Sequence, residues 1–284
     1  MMLGPGDLVL CAGTLPRASF AERVEAAAEA GFAGISLFVA DYQRARADGL
    51  SDAEMRALLA DRGVVVAELD PLMGWLPESA AAGAVNEQGA AFLQHTERDF
   101  YALAEALGAR SLNAVSIAPP PLDADAAAEA FAGLCDRAGE HGLLVHLEFL
   151  PWTQIPDVDA ALEIVQLAGR PNGGLMLDSW HHFRSGGDAV SLRRVPGERI
   201  LAIQINDAPR LAEPDPIEET TRRRLLPGEG DIDLAELLKA MRVRGSTAPI
   251  GVEVFSDALA RLPAREAARL AGDAARAVLR QVRG

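Results

Sequence analysis

Short runs of Val, Ile, Leu and Phe alternate along this chain with longer stretches whose apolar residues recur every three or four positions. The short runs predict strands: "LVLCAG" (8–13), "GISLFV" (34–39), "VVVAEL" (64–69), "SLNAVSI" (111–117), "LLVHLEF" (143–149), "GLMLDSW" (174–180), "LAIQIND" (201–207) and "PIGVEVF" (249–255). Between them "SFAERVEAAAEAG", "SDAEMRALLADRG", "HTERDFYALAEALGA", "DADAAAEAFAGLCDRAGEHG", "DVDAALEIVQLAG" and "AREAARLAGDAARAVLRQV" carry the helical period. Ser51 and Asp157 are placed to cap helices at their start, and Gly63 and Gly142 to stop them.

Eight strand–helix alternations in 284 residues predict a single-domain (β/α)8 TIM barrel spanning 1–284, a fold that commonly needs about 250 residues. An open doubly wound sheet is the rival. It lacks support, because "AGTLPRA" is no GxGxxG and no GxxxxGK[ST] occurs. The stretch 73–90 shows little periodicity and reads as a rim lid or substrate wall.

A net charge of −14 and a pI near 4.8 argue against a nucleic-acid partner, which needs clustered Lys and Arg. No membrane-spanning run or leader is expected, and the cytoplasm is the default location. Two cysteines, Cys11 and Cys135, cannot build a disulfide framework or a four-cysteine zinc site.

The informative anomaly is "LEFLP": Glu148 ends a run that otherwise looks buried, where a lone carboxylate would be costly. The anomaly recurs. Asp178, Gln204 and Glu253 fall in the next three predicted strands, and barrel chemistry gathers at strand carboxyl ends. Three carboxylates converging on one cavity repel one another unless a cation neutralises them. Glu148, Asp178, Gln204 and Glu253 therefore predict a site for one divalent metal ion. An all-oxygen donor set favours Mn²⁺ or Mg²⁺, with Zn²⁺ or Co²⁺ as alternatives. His181 in "DSWH" can hang over the site, and Arg210 in "QINDAPR" can grip substrate oxygens. His182 is a secondary candidate for substrate contact. Trp152 and Trp180, like Trp75, are candidate walls for the CH face of a sugar or cyclitol. His146 is expected one layer below Glu148, and His95 and His141 at helix ends. "LPGEGDID" could offer backbone N–H groups to a phosphate, or could simply position the following helix.

"HLEFLPW", "LDSWHHFRSGG", "IQINDAPR", "LPGEGDID" and "IGVEVFSD" together resemble the xylose isomerase-like barrels of the sugar phosphate isomerase/epimerase superfamily. That group includes ketose 3-epimerases, inosose dehydratases and isomerases, dehydroshikimate dehydratases and the endonuclease IV branch. The resemblance implies Glu148, Asp178, Gln204 and Glu253 as metal ligands, and His181 and Arg210 as substrate contacts. Two positions depart from the epimerases: glutamine for histidine at Gln204, and Gln154 where a further glutamate would fall. Glutamine at the first position suits some dehydratases. Five histidines and an acidic chain do not suit the endonuclease branch. The implied activity is isomerisation or epimerisation of a small polyhydroxylated substrate, with Glu148 and Glu253 moving the proton. Dehydration and a non-catalytic carbohydrate-binding barrel are the alternatives. A homodimer is expected by analogy.

Overall fold

The computed structural model describes residues 3–76 and 87–283. Eight parallel strands close into a barrel in strict sequence order, each pairing with its neighbours and the eighth returning to the first. They are β1 (Leu8–Leu10), β2 (Gly34–Phe38), β3 (Val65–Leu72), β4 (Ser111–Val115), β5 (Leu144–Glu148), β6 (Gly173–Asp178), β7 (Ile200–Ile205) and β8 (Ile250–Val252). The outer layer contains α1 (Phe20–Glu29), α2 (Val39–Ala47), α3 (Asp52–Arg62), α4 (Glu87–Phe92), α5 (Glu97–Leu107), α6 (Ala124–Glu140) and α7 (Val158–Ala168). Beyond these follow α8 (Ser179–Arg184), α9 (Pro216–Arg222), α10 (Leu234–Val243) and α11 (Ala264–Arg283). The predicted barrel is the observed one. None of the described helices is long and apolar enough to cross a membrane.

Helix boundaries follow local chemistry. Ser51 accepts from the N–H of Glu54 while Glu54 reaches back to the N–H of Ser51, and Gly63 ends α3 with a φ of 66° that only glycine adopts without strain. Asp157 caps α7 through the N–H of Ala160. His141, at the end of α6, stacks on Tyr101 and meets Glu105, so it serves a helix end as expected.

Differences from the predicted elements concentrate at the strand ends. The sixth strand stops at Asp178, because the Asp178 side chain accepts from the N–H of His181 and starts α8. The residues Ser179 and Trp180 are therefore helical. The eighth strand ends at Val252, so Glu253 lies just beyond it. The helix α2, with its Arg-rich "VADYQRARA", has no apolar stripe to announce it. It is held by the buried pair of Arg23 on α1 and Asp41. Most of the predicted wall at 73–90 (residues 77–86) lies outside the described residues.

The barrel interior is polar towards its open end. Ser36, Glu68, Ser111, Asn113, His146 and Gln204 are all buried there, and such groups must be paired to be tolerated. The packing is tight: a Cβ on Gly251 would stand 2.7 Å from Cys11 Sγ and 3.2 Å from Gln204 Cγ. Glycine there is what lets the Gln204 side chain lie across the barrel.

Candidate active site

Register brings the strand-end residues together. Asp178 is paired with Gln204, and Gln204 with Gly251, two residues before Glu253. Glu148 ends β5 one strand away. A cavity of about 160 Å³ opens above them, lined by Glu148, His181 and Glu253 among polar residues and by Phe38, Val115 and Trp152 among apolar ones.

Glu148 and Glu253 are each held by one oxygen, and Asp178 by both, its Oδ1 accepting from the His181 N–H at 2.9 Å. Glu148 Oε2 accepts from Asn113 Nδ2 at 2.7 Å, leaving Oε1 facing His181 Nε2 at 3.5 Å. Asp178 Oδ2 accepts from Asn206 Nδ2 at 2.7 Å and from Arg224 Nη1 at 2.9 Å. Glu253 Oε2 accepts from the same Nη1 at 3.2 Å. Burial pushes the Glu148 carboxyl well up, with Asp178 and Glu253 adding repulsion. Burial likewise pushes Glu253 up to about 8, although Arg224 opposes the rise. Burial works against ionised Asp178 too, but Arg224, His181 and its hydrogen bonds together hold it below the ordinary range. Asp178 and Glu253 thus share one guanidinium, with Glu148 beside them.

Gln204, the fourth predicted donor, is buried below them. Its Nε2 donates to Glu68 Oε1 at 3.0 Å, and its Oε1 is buried with no hydrogen-bond partner. An orphaned buried amide oxygen is costly unless a ligand completes it. Among His, Cys, Asp and Glu of the described residues, the group with ligand atoms within 4.8 Å of one another is Glu148, Asp178 and His181.

Arg224 is the residue the sequence reading missed. Arg210 is exposed and does not line the cavity; among the described residues its main chain alone is engaged, its N–H donating to Asp231. The guanidinium in the mouth belongs to Arg224, from "TRRRLL", where nothing in the spacing says which arginine turns inward. Antiparallel bridges from Asp207 to Leu225 and from Arg223 to Ser256 lay this segment across the ends of β7 and β8. Thr220 then orients the guanidinium, its carbonyl accepting from Nε at 2.9 Å and its hydroxyl from Nη2 at 2.8 Å.

The other candidates divide. His181 lines the cavity, with Nε2 at 3.2 Å from Arg224 Nη2, and burial together with that arginine pulls its pKa down to about 3 against the pull of Asp178. Trp152 lines the cavity. Trp180 does not: it is fully buried behind Trp152 and donates from Nε1 to Glu219 at 3.2 Å. His182 turns away and binds the Asp188 carbonyl at 3.0 Å, and Trp75 donates to the Val115 carbonyl beneath the rim. His146 supports the site from below. Because Asn113 gives its N–H to Glu148, its Oδ1 must accept, which places the proton of neutral His146 on Nδ1, 3.0 Å away. The loop "LPGEGDID" offers nothing to a phosphate through Gly228 or Ile232, whose N–H groups are already taken by the Asp207 carboxylate at 2.8 and 3.0 Å.

The family model described as xylose isomerase-like TIM barrel matches residues 24–281. A 3-dehydroshikimate dehydratase of Pseudomonas aeruginosa is 33% identical over 263 residues, 90% of this chain and 38% of its own length. An inosose isomerase of Bacillus subtilis is 35% identical over 141 residues, 49% of each. The chain thus spans about two fifths of the dehydratase and matches about half of the isomerase. Among solved structures, an IOLI protein with a bound zinc atom superposes with a TM-score of 0.83 at 22% identity, covering 97% of this chain and 99% of that one. At that identity the likeness concerns the fold.

Proposed function

The chain belongs to the xylose isomerase-like TIM barrel family, and from that premise we propose that it is a divalent-metal-dependent isomerase or epimerase of a small polyhydroxylated ketone. The observation that carries this reading is that Glu148 and Glu253 reach one cavity from separate strand ends, each tied by one oxygen with the other oxygen free of hydrogen bonds. A tied carboxylate with one free oxygen is positioned to take a proton from a carbon beside a carbonyl and to return it elsewhere.

The residues fit a divalent ion. Three crowded carboxylates with only one arginine between them need further positive charge, and the orphaned Gln204 Oε1 needs a partner. Glu148, Asp178, Gln204 and Glu253 would hold it, and this hard set favours Mn²⁺ or Mg²⁺. A bound ion would polarise the carbonyl and acidify the neighbouring C–H. The remaining chemistry belongs to the chain: Glu148 and Glu253 move the proton, and His181 and Arg224 hydrogen-bond substrate oxygens. The apolar walls exclude water from the reacting carbon.

Dehydration is the second reading, favoured by the match to a dehydratase across 90% of the chain. It asks His181 to protonate a departing hydroxyl, and the neutral ring beside Arg224 is a weak acid for that step. The test is native protein and Glu148→Gln, each stripped and reloaded with Mn²⁺, incubated in D₂O with ketoses, an inosose and 3-dehydroshikimate. Deuterium gained next to the carbonyl without loss of water, and reduced about 10²- to 10⁴-fold in the variant, is expected. Loss of water moves the protein to the lyases. Native protein that takes up no metal and exchanges no proton would sink both readings.

A further inference from the structure

The wall of the cavity formed by β3 carries a carboxylate that the chemistry above does not use. Asp70 is 4% exposed, lines the cavity, and among the described residues both of its oxygens are buried without a hydrogen-bond partner. Burial and the nearby Glu68 push its carboxyl well above the ordinary range, against Ser36 and Asn113, which face it yet complete no hydrogen bond; a donor entering the cavity would favour the ionised form. Native interiors rarely leave a carboxylate unserved, so the group is held for something that enters the cavity. In a closed eight-stranded barrel, β3 stands across the axis from β7. Arg224 and the proton-moving carboxylates come from the β5–β8 side, so a substrate gripped there turns another face towards Asp70.

The charge around this cavity narrows what that face can be. Arg224 is the only arginine or lysine among its described lining residues, and Asp178, Glu253 and Thr220 already engage it. The stretch 77–86, "PESAAAGAVN", contains no Lys, Arg or His. An anionic group facing β3 would therefore meet a carboxylate and no free cation, whereas a hydroxyl would find an acceptor.

We propose that Asp70 is a specificity-determining residue that accepts a hydrogen bond from the hydroxyl the substrate presents to β3, and that it makes the cavity select a neutral polyol ring over one bearing a carboxylate. This deepens the isomerase reading, rests on it for the location of the substrate, and is tested without turnover. The probe is myo-inositol, a cyclic polyol lacking the reactive carbonyl, titrated calorimetrically into Mn²⁺-loaded native protein, Asp70→Leu and Asp70→Asn.

Asp70→Leu is expected to weaken myo-inositol binding about 10- to 100-fold, the range for a buried hydrogen bond to a charged group. Asp70→Asn, which removes the charge and keeps the shape, is expected to tighten 3-dehydroshikimate binding at least several-fold. Thermal midpoints of the unliganded variants are expected to equal or exceed native, because an unserved carboxylate has been removed, and metal content to be unchanged. Equal myo-inositol affinity in native and Asp70→Leu protein would overturn the proposal, as would a loss of metal, which would make Asp70 a ligand. Asp70-dependent inositol binding without turnover of any ketone would leave this proposal standing and sink the isomerase reading. Turnover of an inosose with the same KM in native and Asp70→Leu protein would do the reverse.

Discussion

The two halves of the barrel mouth handle negative charge in opposite ways. On the β5–β8 side, Glu148, Asp178 and Glu253 are each fixed by a named donor, and Arg224 spans two of them. On the β3 side, Asp70 stands unserved, and Glu68 beneath it is shared between Gln204 and the more distant Cys11 thiol. One half is wired in advance and the other waits. Catalytic groups need fixed positions before substrate arrives, whereas a recognition group gains most if its partner is the ligand itself.

Arg224 offers the largest test of that contrast. Arg224→Met leaves Asp178 and Glu253 buried beside each other without their shared cation, and breaking such an arrangement costs about 3–5 kcal/mol. Denaturant unfolding of metal-free protein measures it. A loss below about 1 kcal/mol would mean that the wired half is no more fixed than the other.

A smaller effect comes from pH. Burial pushes Glu68 up to about 7 and Glu253 up to about 8 in the folded protein, while the unfolded chain ionises near the ordinary glutamate value of about 4.3. Between those values the folded protein keeps protons that the unfolded chain has released. Stability from these groups is therefore full below pH ~4 and is lost as pH rises through 7 to 8. The thermal midpoint of the metal-free protein is expected to drop by several degrees from pH 5 to pH 8. A midpoint that rises over this window would remove the raised carboxylates from the account.

The smallest effect is expected at Arg210. With its side chain in solvent, Arg210→Ala should shift stability by less than about 0.5 kcal/mol. Its kcat/KM should stay within about threefold of native. A hundredfold fall would bring its guanidinium into the mouth.

The wired half was the more legible in sequence. Carboxylates and an amide at four successive strand ends are visible in one dimension, because strand period and barrel order together fix where they converge. What stayed hidden depended on the third dimension. Arg224 is one of three consecutive arginines, and only the bridges to Asp207 and Ser256 turn it inward. Trp180 looked like a wall until Asp178 capped α8 and rotated the indole behind Trp152. The β3 carboxylates were legible and overlooked. "AELD" places Glu68 and Asp70 on one face of a strand, the same anomaly as in "LEFLP", but without a matching motif to draw attention to it.

Asp207 has a further consequence. Its carboxylate clasps the N–H groups of Gly228 and Ile232, and its own main chain pairs with Leu225. The clasp works only because residue 230 has no Cβ, which would stand 2.4 Å from both the Ala208 carbonyl and Asp207 Oδ1. The segment that delivers Arg224 is thereby spliced to the barrel at a point that bypasses the exposed stretch 209–215. The guanidinium's place is thus set by a tie that does not run through that stretch, and an insertion between 211 and 214 is expected to leave it where it is.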